Sequence, residues 1–246
     1  DESVVGWQDE NGTTVESVTI ENKDIILKAV IGKGYWITFD SNGGSYVAPA
    51  FYPSGNQATA PDDPTKPGYV FDKWYLDAEH TREAVFADIK ESTILYAGWT
   101  ESANVKYTVI YNVENANDDG YSYLTSVEKT GKTGAQTAAE ELNSFPSDFK
   151  EDKRGFTMQT ITQQTIKGDG STIVNVYYKR NVYEVKFCQW KGGLLGIIGE
   201  WKEISNLTIT AKYGANIKES WPGGIWKTAP GGDTFQANID VMPMGG

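Results

Sequence analysis

The sequence predicts a β-dominated α+β protein built of small modules in series, and three observations carry that expectation. Large residues alternate through three similar stretches, Tyr35-Trp-Ile37-Thr-Phe39, Tyr107-Thr-Val109-Ile-Tyr111 and Tyr183-Glu-Val185-Lys-Phe187, which is the period of a half-buried strand. These openings recur 72 and 76 residues apart, the length of one small domain. Each of the first two intervals then closes with a second strand-like run, Thr93-Ile-Leu-Tyr-Ala97 and Ile173-Val-Asn-Val-Tyr-Tyr178, ahead of a short polar joint. With 39% hydrophobic and 22% charged residues among 246, the chain has the makeup of a folded protein rather than a disordered one.

Taken in order, residues 1–33 read as the closing part of a unit. Trp7 leads to Leu27 and Ala29 as Trp74 leads to Leu95 and Ala97, with one residue of slip. Residues 34–102 form the first complete unit. Within it Asp40-Ser-Asn42-Gly43-Gly44 follows a strand and supplies the positive-φ positions of a tight hairpin turn. The run from Ala60 to Tyr69 holds three Pro and a Gly, so it crosses the surface until Tyr69 resumes pairing. Residues 103–180 form a second unit with one helical signal. Thr137-Ala-Ala-Glu140 is a capping-box pattern, and Ala138, Leu142 and Phe145 share one face before Pro146. A short helix on a sheet is expected there. Residues 181–246 form a Trp- and Gly-rich β module with no clear closing strand, as if cut short.

Composition excludes several function classes. One Cys and one His leave structural zinc without ligands, and a Ser/His/Asp arrangement has no Gly-rich nucleophile turn to join His80. His80 reads as an exposed loop residue and Cys188 as a buried strand residue; neither a disulfide nor any cofactor is expected. The net charge of −11 lies wholly in residues 1–180, where 27 acidic residues face 16 basic ones. Such a surface repels phosphate backbones, so nucleic acid is not an expected partner. No apolar run reaches the length of a membrane span and the acidic N-terminus is unlike a signal peptide, so membrane insertion is not expected either.

Two motif-like stretches fail on inspection. Gly131-Lys-Thr-Gly134 lacks the earlier Gly of a phosphate-binding loop, because Ser126 stands there. Asn115-Ala-Asn117-Asp-Asp119-Gly120 copies the start of an EF-hand loop, but Ser126 occupies the position of the bidentate Glu. A plain polar hairpin loop is the expected reading, with weak Ca²⁺ binding as its alternative. The last module concentrates Trp190, Trp201, Trp221 and Trp226. A buried Trp hides on the order of 200 Å², so most of the four are expected in the core of so small a module. Trp221 and Trp226 flank Pro222-Gly-Gly224 and are the candidates for an exposed, sugar-stacking ligand-binding platform.

The residues of the first unit resemble a family. Phe39-Asp-Ser-Asn-Gly-Gly44, the P-x-x-P-x-K-x-G-Y run from Pro61 to Tyr69, then Phe71-Asp-Lys-Trp-Tyr-Leu-Asp77 and Thr93-Ile-Leu-Tyr-Ala-Gly-Trp99 look like the Listeria-Bacteroides, or internalin B-type, repeat of bacterial cell-surface proteins. The likeness covers residues 34–100, with a partial copy at 1–30; Lys73 stands at a turn where the family commonly has Gly. Residues 103–180 are similar in layout to mucin-binding (MucBP) and related β-grasp modules. The resemblance implies tandem β-grasp-like modules in an elongated array on a secreted or wall-attached protein of a Gram-positive bacterium. It implies a monomeric, non-catalytic stalk with possible adhesion to host glycan, mucin or a cell-surface protein. Two alternatives remain open: a carbohydrate- or mucin-binding module with its site in the C-terminal unit, and accessory repeats of a larger secreted enzyme. Lys–Asn isopeptide crosslinks occur in some Gram-positive stalks, and Lys106 with Asn175 is the candidate pair here.

Overall fold

Strand-forming alternation gives eleven strands in a computed structural model that describes residues 1–22, 24–192, 199–222 and 242. The chain divides into two compact units. One comprises residues 1–105 with 132–134 and 167–170; the other comprises the remainder.

In the first unit, β1 (Glu2–Gln8), β2 (Lys28–Asp40), β3 (Ala50–Pro53), β4 (Tyr69–Tyr75) and β5 (Thr93–Glu101) form one five-stranded sheet. β2 runs without a break across the residues expected to separate the partial copy from the first complete unit. β2 and β5 pair in parallel, with Ile37 opposite Thr93 and Phe39 opposite Leu95. β3 and β4 flank them antiparallel. Alternation brings Tyr35, Ile37 and Phe39 to one face, where they bury with Trp74, Leu95, Ala97 and Ile89. The Asn42-Gly43 turn forms with both residues at positive φ, and Gly44 N–H donates to Ser41 O at 3.0 Å. The expected tight hairpin does not follow, because the chain returns to β2 only at Ala50. The Trp99 ring packs beside Gly44 and its Nε1–H donates to Ser41 O at 2.9 Å, holding the turn against β5 instead. Lys73 lies at a bulge inside β4 rather than at a turn, its Nζ 3.0 Å from Glu83 Oε2.

In the second unit, β6 (Val105–Glu114), β7 (Tyr121–Gly131), β8 (Phe156–Met158) and β9 (Ile173–Arg180) form a sheet in the order β7-β6-β9-β8. β6 and β9 are the parallel central pair, as β2 and β5 are. The order β3-β2-β5-β4 is therefore repeated, 2-1-4-3 in local numbering. β10 (Val182–Gly192) and β11 (Gly199–Lys212) form an antiparallel ribbon over a small core of Phe187, Ile209, Ile217 and Met242. Its layout echoes the preceding sheet: Ile166 N–H donates to Ala135 O and Met242 N–H donates to Ala215 O, both at 2.8 Å, each beside a positive-φ Gly.

The architecture is β-dominated, and among the described residues the helical part reduces to 3-10 turns at Phe86–Asp88, Lys153–Gly155 and Lys218–Ser220. The helix expected over 137–145 is absent, and the reason lies in the sheet beneath it. Tyr107 OH accepts from Ala138 N–H at 3.0 Å, Tyr111 OH donates to Glu140 O at 2.9 Å and Tyr178 OH accepts from Leu142 N–H at 2.8 Å. Thr137, the expected cap, donates instead to Gln163 Oε1, and Gln163 also bridges the N–H and C=O of Ala139. Backbone groups that a helix would pair internally are satisfied by core tyrosines and one glutamine, so the segment stays out of a helix.

Candidate functional site

The aromatic candidates of the last module separate. Trp221 ends a 3-10 turn, half-buried, with its ring 5.1 Å from that of Phe187 at 77°. Trp226 lies outside the described residues. Trp190 and Trp201 were expected in the core but stand 40% and 42% exposed, directly opposite each other on β10 and β11. Their rings meet edge to face at 5.6 Å. Among the described residues the pair packs ring against ring across the ribbon. Cys188 sits on β10 as expected but is half-buried, at the ribbon's register shift.

A second aromatic surface lies over β8, where Phe145, Phe149 and Phe156 contact one another at 5.3–6.1 Å. They line an open depression of about 620 Å³ with Asp152 and Arg154 among its walls. The Arg154 guanidinium beside Asp152 holds that carboxyl below the usual carboxylate range. Sequence reading passed over this cluster, since its three Phe come from a loop and a short strand with no shared period.

The strongest electrostatic feature joins the ends of β6, β9 and β11. Period-two alternation from Val174 through Val176 and Tyr178 brings Arg180 to the buried face, a signal available in the sequence. Arg180 Nε–H donates to Glu114 O at 2.6 Å, and its backbone N–H to Glu114 Oε2 at 2.8 Å. Both Nη groups engage the Glu151 carboxylate, Nη2–H at 2.8 Å, and Nη1–H also donates to Tyr213 O at 2.8 Å. The guanidinium lies 4.8 Å from the Phe156 ring centre. Lys212 Nζ completes the cluster, 2.9 Å from Glu114 Oε1 and 2.9 Å from Asp119 Oδ1. Hydrogen bonds donated to Glu114 and Asp119 raise the Lys212 pKa, and the same lysine lowers that of Asp119. Fully paired, this cluster fixes the ribbon to the sheet; it presents no free nucleophile or base.

Other singled-out residues serve the framework. The Asn115–Gly120 stretch is a hairpin loop: Asp118 Oδ1 accepts from Asn115 Nδ2 and Gly120 N, and Lys212 holds Asp118 O and Asp119. Among the described residues no group of three His, Cys, Asp or Glu is placed to hold a metal ion. Lys132 pairs with Glu101, and Thr133 Oγ1–H donates to Gly68 O at 2.6 Å, so Gly131–Gly134 acts as a clip. His80 is half-buried rather than exposed, at φ +54 in the Asp77 turn and 5.0 Å from the Tyr75 ring. The Lys106–Asn175 crosslink does not fit the register. Asn175 pairs with Ile110, four residues or ~13 Å along β6 from Lys106, and Lys106 Nζ sits 2.8 Å from Glu128 on an exposed face.

Two sheets with one strand order and one parallel centre make this a repeat-built β protein. The family model of the Listeria-Bacteroides repeat domain matches residues 35–98, which form β2 to β5. Repeats of this family are typical of bacterial surface proteins and are generally non-catalytic. The chain is 30% identical over 204 residues to a protein of Evansella cellulosilytica named "Putative membrane protein", covering 74% of this chain and 28% of that one. A second protein of the same organism, named "Putative Gly-rich membrane protein", is 28% identical over 158 residues, covering 62% of this chain and 17% of that one. The chain thus spans less than a third of either relative. Among the described residues no helix is long and apolar enough to cross a membrane.

Proposed function

We propose that the chain is a non-catalytic repeat region of a bacterial cell-surface protein, wall-attached in a Gram-positive cell, that works as an extended monomeric stalk and adheres through weak, multiplied contacts. The observation that supports this reading is the recurrence of one strand order in successive sheets, each with its own core. Units that bury their own cores let length grow with copy number, and many weak sites gain strength by avidity. Small-angle scattering tests the stalk. A compact chain of this length has a radius of gyration of about 18 Å. A stalk gives a clearly larger value with a monomer mass, and a value near 18 Å overturns it.

A second reading, a carbohydrate- or mucin-binding module, is favoured by the exposed Trp190–Trp201 pair in the C-terminal unit. Titration against mucin and a glycan panel tests it, with Trp190→Ala and Trp201→Ala beside Trp221→Ala and Trp226→Ala. Saturable binding lost in either pair of variants supports a site in this module; absence of binding across the panel removes the reading.

A further inference from the structure

Two Asn-Gly pairs stand in the first unit, in turns built alike. Asn11-Gly12 follows Asp9 and Asn42-Gly43 follows Asp40, and in each turn the Asn N–H donates to that aspartate Oδ1 at 2.9 Å. Both pairs are exposed, and both glycines are left-handed, at φ +84 and +81. The glycine nitrogens differ. Gly12 N–H donates to Asp9 O at 3.1 Å, so it is engaged. Gly43 N–H meets no acceptor among the described residues, and the Asn42 carboxamide makes no hydrogen bond to them.

A cation makes the second difference. Lys66 Nζ–H donates to Asn42 O at 2.9 Å, and a Cβ placed on Gly43 would stand 3.6 Å from that nitrogen. The lysine is held there by the rings of Tyr69 and Trp99, centred 4.7 and 5.6 Å from Nζ, and Tyr69 N–H donates to Lys66 O at 3.0 Å. Asn42 O belongs to the peptide whose nitrogen is Gly43 N, so it takes up charge when that nitrogen loses its proton. An ammonium already bonded to this oxygen stabilises the resulting anion. Glycine adds no Cβ to obstruct its attack. At the first pair Lys28 Nζ donates to Glu10 O at 3.2 Å, one peptide too early to act in this way.

We propose that Asn42-Gly43 is a site of spontaneous deamidation, promoted by Lys66 and with water as its co-reactant, while the fold protects Asn11-Gly12. Gly43 N loses its proton to solvent and attacks Asn42 Cγ. The N–Cγ bond forms, the Cγ–Nδ2 bond breaks, and Nδ2 leaves as ammonia after regaining a proton from solvent. The cyclic imide then adds water, opening at Cγ to aspartate or at the former main-chain carbonyl carbon to isoaspartate. Either product adds a carboxylate to the turn. In isoaspartate that carboxylate is the group Lys66 holds, and the backbone gains a methylene where Ser41 O accepts from Gly44 N–H and Trp99 Nε1–H. The turn thus carries a slow, one-way change of charge and local geometry.

Incubation of the full chain in neutral buffer tests the site, with peptide mapping by mass spectrometry to follow the Asn-to-Asp mass gain at both pairs. Asn42 is expected to convert roughly threefold to tenfold faster than Asn11, the factor that one engaged hydrogen bond is worth. In unfolding urea the two rates should converge, a comparison that depends on no variant's folding. Lys66→Met should slow Asn42 toward the Asn11 rate and leave Asn11 unchanged, while Lys66→Arg keeps most of the rate. Three results overturn the proposal: Asn42 converting no faster than Asn11, a difference that persists in urea and so belongs to local sequence, or an Asn42 rate that Lys66→Met leaves unchanged or raises.

Discussion

Arg180 shows how one residue joins sequence pattern to tertiary consequence. It occupies an inward position of β9, 6% exposed, where burying a guanidinium is tolerable only with every donor engaged. Truncation by Arg180→Met would leave the Glu151 carboxylate and the carbonyls of Glu114 and Tyr213 without that partner, while the backbone N–H at 180 stays on Glu114 Oε2. The expected loss is about 3–5 kcal/mol, measured by urea unfolding, and Arg180→Lys should rescue little because a lysine cannot span the Glu151 carboxylate and the two carbonyls of Glu114 and Tyr213. Tyr178 gives a pH signature. Burial pushes its phenol up to about 12, partly opposed by the Leu142 N–H it accepts. The neutral phenol is the folded form, so its contribution is complete below pH ~10 and is lost as pH rises toward about 12. Ultraviolet titration should show a tyrosine ionising together with alkaline unfolding, a step that Tyr178→Phe removes. At the acid end Asp118 and Asp119 run the other way. Asn115 and Gly120 lower the first and Lys212 the second, so their contribution is present above the ordinary aspartate pKa of about 3.8 and disappears as pH falls below it.

At the scale of elements, the non-helical segment over 137–142 is the clearest case of a local signal overruled. Its capping-box residues have real helical preference, but Gln163 makes three hydrogen bonds to Thr137 and Ala139, at 2.7 to 3.0 Å. Gln163→Leu removes all three and strands part-buried backbone groups, for an expected loss of roughly 2–4 kcal/mol by denaturant unfolding, with faster amide exchange at Ala139. If 137–145 were a helix, the same change would act only on an exposed glutamine and cost little. The Asn42-Gly43 turn was legible because positive φ has a residue signature. The long return to β3 was not, since it depends on where the Trp99 ring comes to rest.

For the whole molecule, contiguity in sequence and in structure part company. The first unit takes residues 132–134 and 167–170 from the second repeat interval. Thr133 N–H donates to Ser102 O and its hydroxyl to Gly68 O, and Gly68 and Gly168 approach so closely that a Cβ on either would strike the other's backbone. A fragment ending at residue 101 is therefore expected to be less stable than the same residues in the full chain, by ~1–3 kcal/mol for the lost partners, measurable by comparing urea midpoints. Gly68→Ala, at φ +78, should weaken the full chain in the same sense.

The sequence alone determined the strands, the repeat spacing and the family resemblance of residues 34–100, because periodicity, composition and turn residues are local quantities. Alternation also marks Arg180 as inward-facing once β9 is recognised. Tertiary structure alone decided the rest. Which face the core tyrosine hydroxyls reach kept 137–142 out of a helix, and cross-strand register set Trp190 against Trp201 and Asn175 away from Lys106. Pairing of β2 with β5 brought Tyr35, Ile37 and Phe39 onto Trp74 and buried it. Each depends on partners distant in the chain, and burial is a property of the neighbour as much as of the residue.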